Sequence, residues 1–361
     1  MDFCTAKIAE GKKPARVYKY AKVLVSWAQF LNGKRWEGLG VEEIRLAVAS
    51  LERSGYAASS RVQFKAILKL FFRWLKKTPE WKDPVETEWL KCRHAKPRRY
   101  SSKEMLNSQD VHKLISATSD AKFRAFLALL YDSGMRIGEI LSLRNKDVGF
   151  EPEGVSVHIP DEDGCKTGAR DIFVIACIGH LRQWMDAHPA KDDPNAFVFC
   201  NGTPNSMMNY TTIQKTVKGL VEETGLKKQH NIHFFRKSRA TELAIAGWSQ
   251  EQLNAFFGWV TGSKMSATYV QMTAKDTRAP MQRMYGIQPK ENVVSYAKNL
   301  NCEQCGGVNP AESKYCTRCG VSLDGREKAM QDAELKRLEG LLEMLKSRQA
   351  EGQPSPSQAP E

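Results

Sequence analysis

The sequence predicts a mainly α-helical protein with one small β-sheet, and three observations carry that expectation. Apolar residues recur at helical spacing through most of residues 1–90 and again from position 104 onward. Only two short runs are β-branched, GVSVHI (154–159) and RDIFVI (170–175), and the turn-rich PDEDGCKTGA between them reads as a hairpin tip. No apolar stretch approaches the ~18 residues of a membrane-crossing helix. At 361 residues the chain exceeds the ~250–300 that one core supports, so two or more domains are expected.

Composition narrows the partner. The hydrophobic share of 42% and charged share of 26% are those of an ordinary globular protein in water. A formal charge of +13 favours a polyanion such as nucleic acid over a role in solubility alone. The N-terminus MDFCTAKIAEGKK lacks the apolar core of a signal peptide, so a cytoplasmic, nucleoid-associated protein with no membrane partner is expected.

Residues 1–91 read as a helical domain. Its first run is marked by Val17, Tyr20, Val23, Leu24, Trp27, Phe30 and Leu31, its second by Val41 to Leu51, its third by Val62 to Leu75. The third run also carries Arg61, Lys65, Lys69, Arg73, Lys76 and Lys77. Two readings stand side by side there: the solvated face of a core helix, or a basic face lying on phosphates. Residues 92–103 follow as a basic linker, within KCRHAKPRRYSSK, which has a proline and five Lys or Arg in its first nine residues.

A larger domain spans 104–290. Helices at Ser108–Thr118 and Asp120–Tyr131 lead to a break at Ser133-Gly134, after which Arg136 opens a new helix with Glu139 three residues on. The hairpin tip carries Lys166 between Gly164 and Gly168, and helices return after Ile178 and continue with minor interruption through Tyr269. In HFFRKSRATELAIAGW, His233 and Arg236 project from one helix face, Gly247 can close a left-handed cap, and Ser249 is the next N-cap. Tyr269 falls on a third short helical piece, with no obvious apolar stripe to join.

Residues 300–322 form a cysteine module. Cys302-x2-Cys305 is followed after ten residues by Cys316-x2-Cys319, with Gly306, Gly307 and Gly320 beside the second cysteine of each pair. This is zinc-ribbon spacing; four thiolates suit tetrahedral zinc and leave no open position, so the ion is expected to be structural. Two disulfides are the poorer alternative in a reducing compartment, where Cys4, Cys92, Cys165, Cys177 and Cys200 are most simply free thiols. Residues 326–349 read as a charged helix with Leu335, Leu338, Leu342 and Leu345 at heptad spacing, too short for a stable coiled coil and suited to docking on its own chain or a neighbour. The tail 350–361 is disordered by composition.

Singly, the chemical residues are ordinary. An Arg and Glu three apart are usually a surface pair, a turn lysine is usually solvated, and a tryptophan is usually core. Jointly they resemble the catalytic domain of the tyrosine recombinases, or phage integrase family, over roughly residues 104–275. The matching pieces are Gly134-Met135-Arg136 with Ile137-Gly138-Glu139 and Leu141, then Lys166-Thr167-Gly168, then His233 and Arg236 in HFFRKSRAT, then Gly258-Trp259, and Tyr269. The helical first 90 residues are similar in kind to that family's core-binding domain. Trp259 stands where many members have His, and the Trp259 to Tyr269 interval is one residue longer than the common bacterial pattern; both features look archaeal. Lys237-Ser238 replaces the usual His-Thr.

The resemblance implies a site-specific recombinase that cuts and rejoins DNA strands through a 3′-phosphotyrosyl link. Tyr269 would be the nucleophile, Arg136 and Arg236 a clamp on the phosphate, Lys166 the general acid for the leaving 5′ oxygen, and His233 the partner for the tyrosine proton. Trp259 would donate its indole N–H, and Glu139 would buttress Arg136. Catalysis would need no metal and no nucleotide, in agreement with the lack of a Walker-type loop. The implied partner is double-stranded DNA, bound by a homotetramer on two duplexes with each chain clamping its site. An integrase of an archaeal mobile element is the leading expectation; a dimer resolvase, a type IB topoisomerase-like enzyme and a non-catalytic DNA-binding regulator are the alternatives. The recombinase reading depends on Arg136 and Arg236, a hundred residues apart, converging on one phosphate.

Overall fold

Asp2 starts the first helix, α1 (Phe3–Ala9), by accepting the Thr5 N–H at 2.8 Å, and Pro14 opens α2 (Pro14–Phe30), where its missing N–H costs nothing. The computed structural model describes residues 2–93, 100–101, 104–161, 168–228, 231–260, 262, 265–270, 272, 274–287, 299–311, 313–324, 330 and 333–342. Two units result, Met1–Arg98 and Arg99–Glu361.

The first unit continues with α3 (Val41–Arg53), α4 (Ala58–Leu75) and the short α5 (Val85–Glu88). Its core is aromatic: Trp27 is fully buried and donates its indole N–H to the Phe64 carbonyl at 3.0 Å, and Phe72, Ile44, Leu51 and Leu68 close around it. Of the six cations carried by the α4 stretch, five meet carboxylates of the same unit. Arg61 and Lys65 pair with Glu52, Lys69 and Arg73 with Asp83, and Lys76 with Glu86. These pairs neutralise part of the helix's charge and leave both readings of its basic face open.

In the second unit α6 (Ser108–Ser116) packs on α7 (Ala121–Ser133), which is buried almost throughout and serves as the central post. Gly134 ends α7 in the left-handed region at φ 55°, and α8 (Ile137–Ser142) follows with Arg136 as its N-cap residue. Strands β1 (Val148–Phe150), β2 (Val155–Ile159) and β3 (Arg170–Val174) form an antiparallel sheet in which Val155 faces Val174 and Val157 faces Ile172. The hairpin tip with Lys166 lies outside the described residues.

Helix α9 (Ile178–Asp186) then packs along α7. Between it and α10 (Tyr210–Thr224) stands a second small sheet, β4 (Cys200–Asn201) with β5 (Thr203–Met207), where helices with only minor interruption and a single sheet were expected. The cause is Asn201-Gly202, a hairpin dipeptide whose glycine sits at φ 75°. Helices α11 (Ile232–Ile245), α12 (Gln250–Phe257) and α13 (Met265–Tyr269) complete the part that concerns the site, and α14 (Arg278–Met284) follows.

The cysteine module contains the two-stranded β6 (Leu300–Asn301) and β7 (Val308–Asn309). It is seated on α9: a methyl group on Gly179 would come within 2.5 Å of the Pro310 nitrogen. Only residues 330 and 333–342 of the expected C-terminal helix are described; they are helical, with Leu335, Leu338, Leu341 and Leu342 exposed, and Leu345 and the tail lie outside the described residues. Among the described residues no helix is long and apolar enough to cross a membrane.

Candidate active site

The site forms where α8, α11, α12 and α13 meet. Asn231 caps α11 by accepting the Phe234 N–H at 3.0 Å, which fixes the helix start so that His233 and Arg236 face the same way. Arg236 is 1% exposed. Its two terminal nitrogens donate to backbone carbonyls, Nη1 to Gly134 at 2.8 Å and Nη2 to Phe257 at 2.7 Å. Both acceptors belong to left-handed turns, Gly134 itself and Gly258 directly after Phe257. Gly134 has no room for a side chain, since a Cβ there would fall 2.7 Å from the Phe257 ring.

Arg136 approaches from the other side. Glu139, 2% exposed, accepts the Arg136 backbone N–H at 2.9 Å and its Nη1 at 3.0 Å. The same carboxylate takes two bonds from Arg170, at 2.8 and 3.3 Å. Burial alone would raise the Glu139 pKa, but the Arg170 hydrogen bonds and charge, the Arg136 N–H and the Arg236 charge outweigh it and hold the carboxyl down at about 2. Conversely, burial and then the Arg136 charge pull Arg236 down to about 9, opposed by Glu139 and Tyr269, which leaves it charged at neutral pH.

Tyr269 is 5% exposed, so its partners are aromatic and basic groups rather than solvent. Its ring stacks on Trp259 with centroids 5.3 Å apart, and the Arg236 guanidinium lies 5.4 Å from its centroid. Its hydroxyl is 2.8 Å from His233 Nε2. Packing around the His233 ring, then the charges of Arg236, Lys237 and Arg136, lower the imidazole pKa; a neutral Nε2 can therefore accept the phenol proton. Two buried donors, Arg236 Nε and Trp259 Nε1, have no hydrogen-bond partner among the described residues. They are ready for an acceptor that brings negative charge.

Arg136, Glu139, His233, Arg236, Trp259 and Tyr269 therefore share one locality, while Lys166 lies outside the described residues. The Lys237-Ser238 pair is accommodated: Ser238 accepts the Leu106 N–H at 2.9 Å, and the Lys237 ammonium sits 5.2 Å from the Tyr100 ring. Arg170 was not foreseen. Strand parity contains the signal, because Arg170 shares the inward face of β3 with Ile172 and Val174, and an arginine on that face needs an acid.

The four cysteines cluster separately, with every sulfur within 4.8 Å of the others. Cys302 and Cys319 are 3.6 Å apart, as are Cys305 and Cys316. That is far beyond the ~2.05 Å of a disulfide and close to the ~3.8 Å edge of a sulfur tetrahedron around zinc at ~2.3 Å. Gly306 and Gly320 take φ of 68° and 75° at the two knuckles.

Residues 104–276 match the Phage integrase family. The tyrosine recombinase XerC of Alcanivorax borkumensis is 26% identical over 239 residues, covering 64% of this chain and 75% of its own. Transposase A from transposon Tn554 of Staphylococcus aureus is 23% identical over 192 residues, 48% of this chain and half of that protein. Lambda integrase, solved as a dimer on a COC' core site, gives a TM-score of 0.60 at 14% identity over 74% of each chain. Its tetramer on a Holliday junction gives 0.55 at 17% identity, over 72% of this chain and 76% of that one.

Proposed function

We propose that this chain, whose residues 104–276 match the phage integrase family, is a site-specific DNA recombinase of the tyrosine recombinase type and that Tyr269 is its nucleophile. The observation that carries this is the buried Tyr269 hydroxyl 2.8 Å from His233, beside unfilled donors on Arg236 and Trp259. In-line attack by the phenol oxygen on a backbone phosphorus forms a 3′-phosphotyrosyl bond and breaks the bond to the 5′ oxygen. His233 takes the phenol proton, and Lys166 supplies a proton to the leaving oxygen. Arg136 and Arg236 grip the non-bridging oxygens, and the Trp259 indole adds a third donor. Glu139 is a positioning residue, since it orients Arg136. Religation reverses the steps, so the bond energy is conserved and no nucleotide is consumed.

The partner is double-stranded DNA, and the working assembly is a homotetramer on two duplexes, a reading supported by the lambda integrase complexes. Domain boundaries near 91, 103 and 290 fit a core-binding domain, a linker and a catalytic domain. A mobile element is the favoured source, supported by the likeness to the Tn554 transposase, and the Trp259 to Tyr269 segment favours an archaeal one. The Cys302, Cys305, Cys316 and Cys319 thiolates would hold a structural zinc, supplying fold stability and no step of catalysis.

Two measurements test these assignments. On a nicked suicide duplex the wild-type chain becomes covalently attached to DNA, and Tyr269→Phe abolishes attachment while keeping affinity within a few-fold; attachment by the variant overturns the nucleophile. Elemental analysis should return one zinc per chain, and less than half removes the ribbon reading.

A further inference from the structure

We propose that Asp132 is a positioning residue for the two site arginines, acting through Arg239; the proposal rests on the recombinase reading above. Asp132 lies in the last turn of α7, two residues before Gly134 and four before Arg136, and its side chain is 3% exposed. Its carboxylate is split between two elements. Oδ1 accepts Arg239 Nη2 at 2.9 Å, and Oδ2 accepts the Cys177 N–H at 3.1 Å, at the start of α9. The Asp132 carbonyl takes Arg239 Nε at 2.9 Å as well, and Arg239 Nη1 reaches Glu242 at 3.0 Å.

Arg239 stands one turn beyond Arg236 on α11, and its Cβ and Cγ lie 3.3 and 3.4 Å from where a Gly134 Cβ would be. The fork therefore bolts α11 to the very segment that presents the Gly134 carbonyl to Arg236 and then continues into Arg136. A buried acid and guanidinium are poor value as stability alone, because an apolar pair of similar volume packs as well without the desolvation cost. What the planar fork adds is fixed direction on two sides at once. The cysteine module reinforces the same frame from behind, since Pro310 backs directly onto Gly179, two residues after Cys177.

The test compares Asp132→Asn and Arg239→Lys with wild type in covalent attachment to a suicide duplex. It is run once with an ordinary scissile phosphate and once with a methylphosphonate, where a methyl replaces one oxygen the arginines would grip. Misplaced arginines should leave DNA affinity within about three-fold and slow phosphodiester cleavage about 30-fold or more. The double variant should be no slower than the worse single one, and the defect should shrink to about three-fold on the methylphosphonate. Thermal melts monitor folding, and Arg239→Lys carries the comparison if Asp132→Asn melts early. Equal losses on both substrates, or cleavage by both variants within about three-fold of wild type, overturn the proposal. A wild-type chain that never attaches to DNA overturns the recombinase reading itself.

Discussion

Cations meet carboxylates in two regions of this molecule, and the two differ in where the surplus charge is left. Along α4, five cations share Glu52, Asp83 and Glu86 in pairs that reach solvent, with cation side chains 16–31% exposed. Water and salt absorb what the acids do not. In the site, Arg136 and Arg170 share the single buried Glu139, and Arg236 is met by two carbonyls. The charge of Arg236 is shut away from salt, and beside it are donors with no partner among the described residues, a setting that favours an anion. The same residue types are thus paired with carboxylates and partly exposed in one place, and gathered around a buried guanidinium with open donors in the other.

The comparison can be broken most forcefully at the guanidiniums. Arg136→Ala or Arg236→Ala should each slow strand cleavage 100- to 1,000-fold, about 3–4 kcal/mol on the scale of a lost oxyanion donor. Near-normal rates of covalent attachment in both variants would show that the surplus charge has no chemical use. Next in size, Glu139→Gln removes a buried carboxylate shared by two arginines and should lower folding stability by about 3 kcal/mol in denaturant titration. Because the Glu139 pKa is depressed to about 2 from 4.5, its contribution is complete above the ordinary carboxylate range. It is lost as pH falls from about 4.5 toward 2, so the wild type should lose more stability across that window than Glu139→Gln does. Smallest of all, Glu52→Gln or Asp83→Asn should cost about 1 kcal/mol or less and leave DNA affinity within about two-fold. A steeper salt dependence of binding in those variants would instead place α4 against phosphates.

Much of this was readable from residue order, for identifiable reasons. Helical periodicity located α2, α3 and α4, and the Ser249 cap and Gly247 break fell where expected because both act through local backbone chemistry. The β2 and β3 hairpin was legible from its branched residues, but the three-residue β1 was too short to signal itself. The second hairpin was missed although Asn201-Gly202 announces it, because β4 is only two residues long and β5 is mostly polar and exposed. Within the site, Arg136, Glu139, His233 and Arg236 lie on helices whose spacing displays them. The Gly134 and Phe257 carbonyls could not be foreseen, since backbone acceptors have no letter in the sequence. The burial of Tyr269 was also hidden, because its stacking partner Trp259 arrives from a different helix end.

That stacking has a consequence for how an assembly shares its labour. Tyr269 is held by His233, Trp259 and Arg236 of its own polypeptide, so among the described residues the groups around the phenol all come from one chain. If that arrangement persists on DNA, a complex mixed from intact and Tyr269→Phe chains should sever as many strands as it has intact chains.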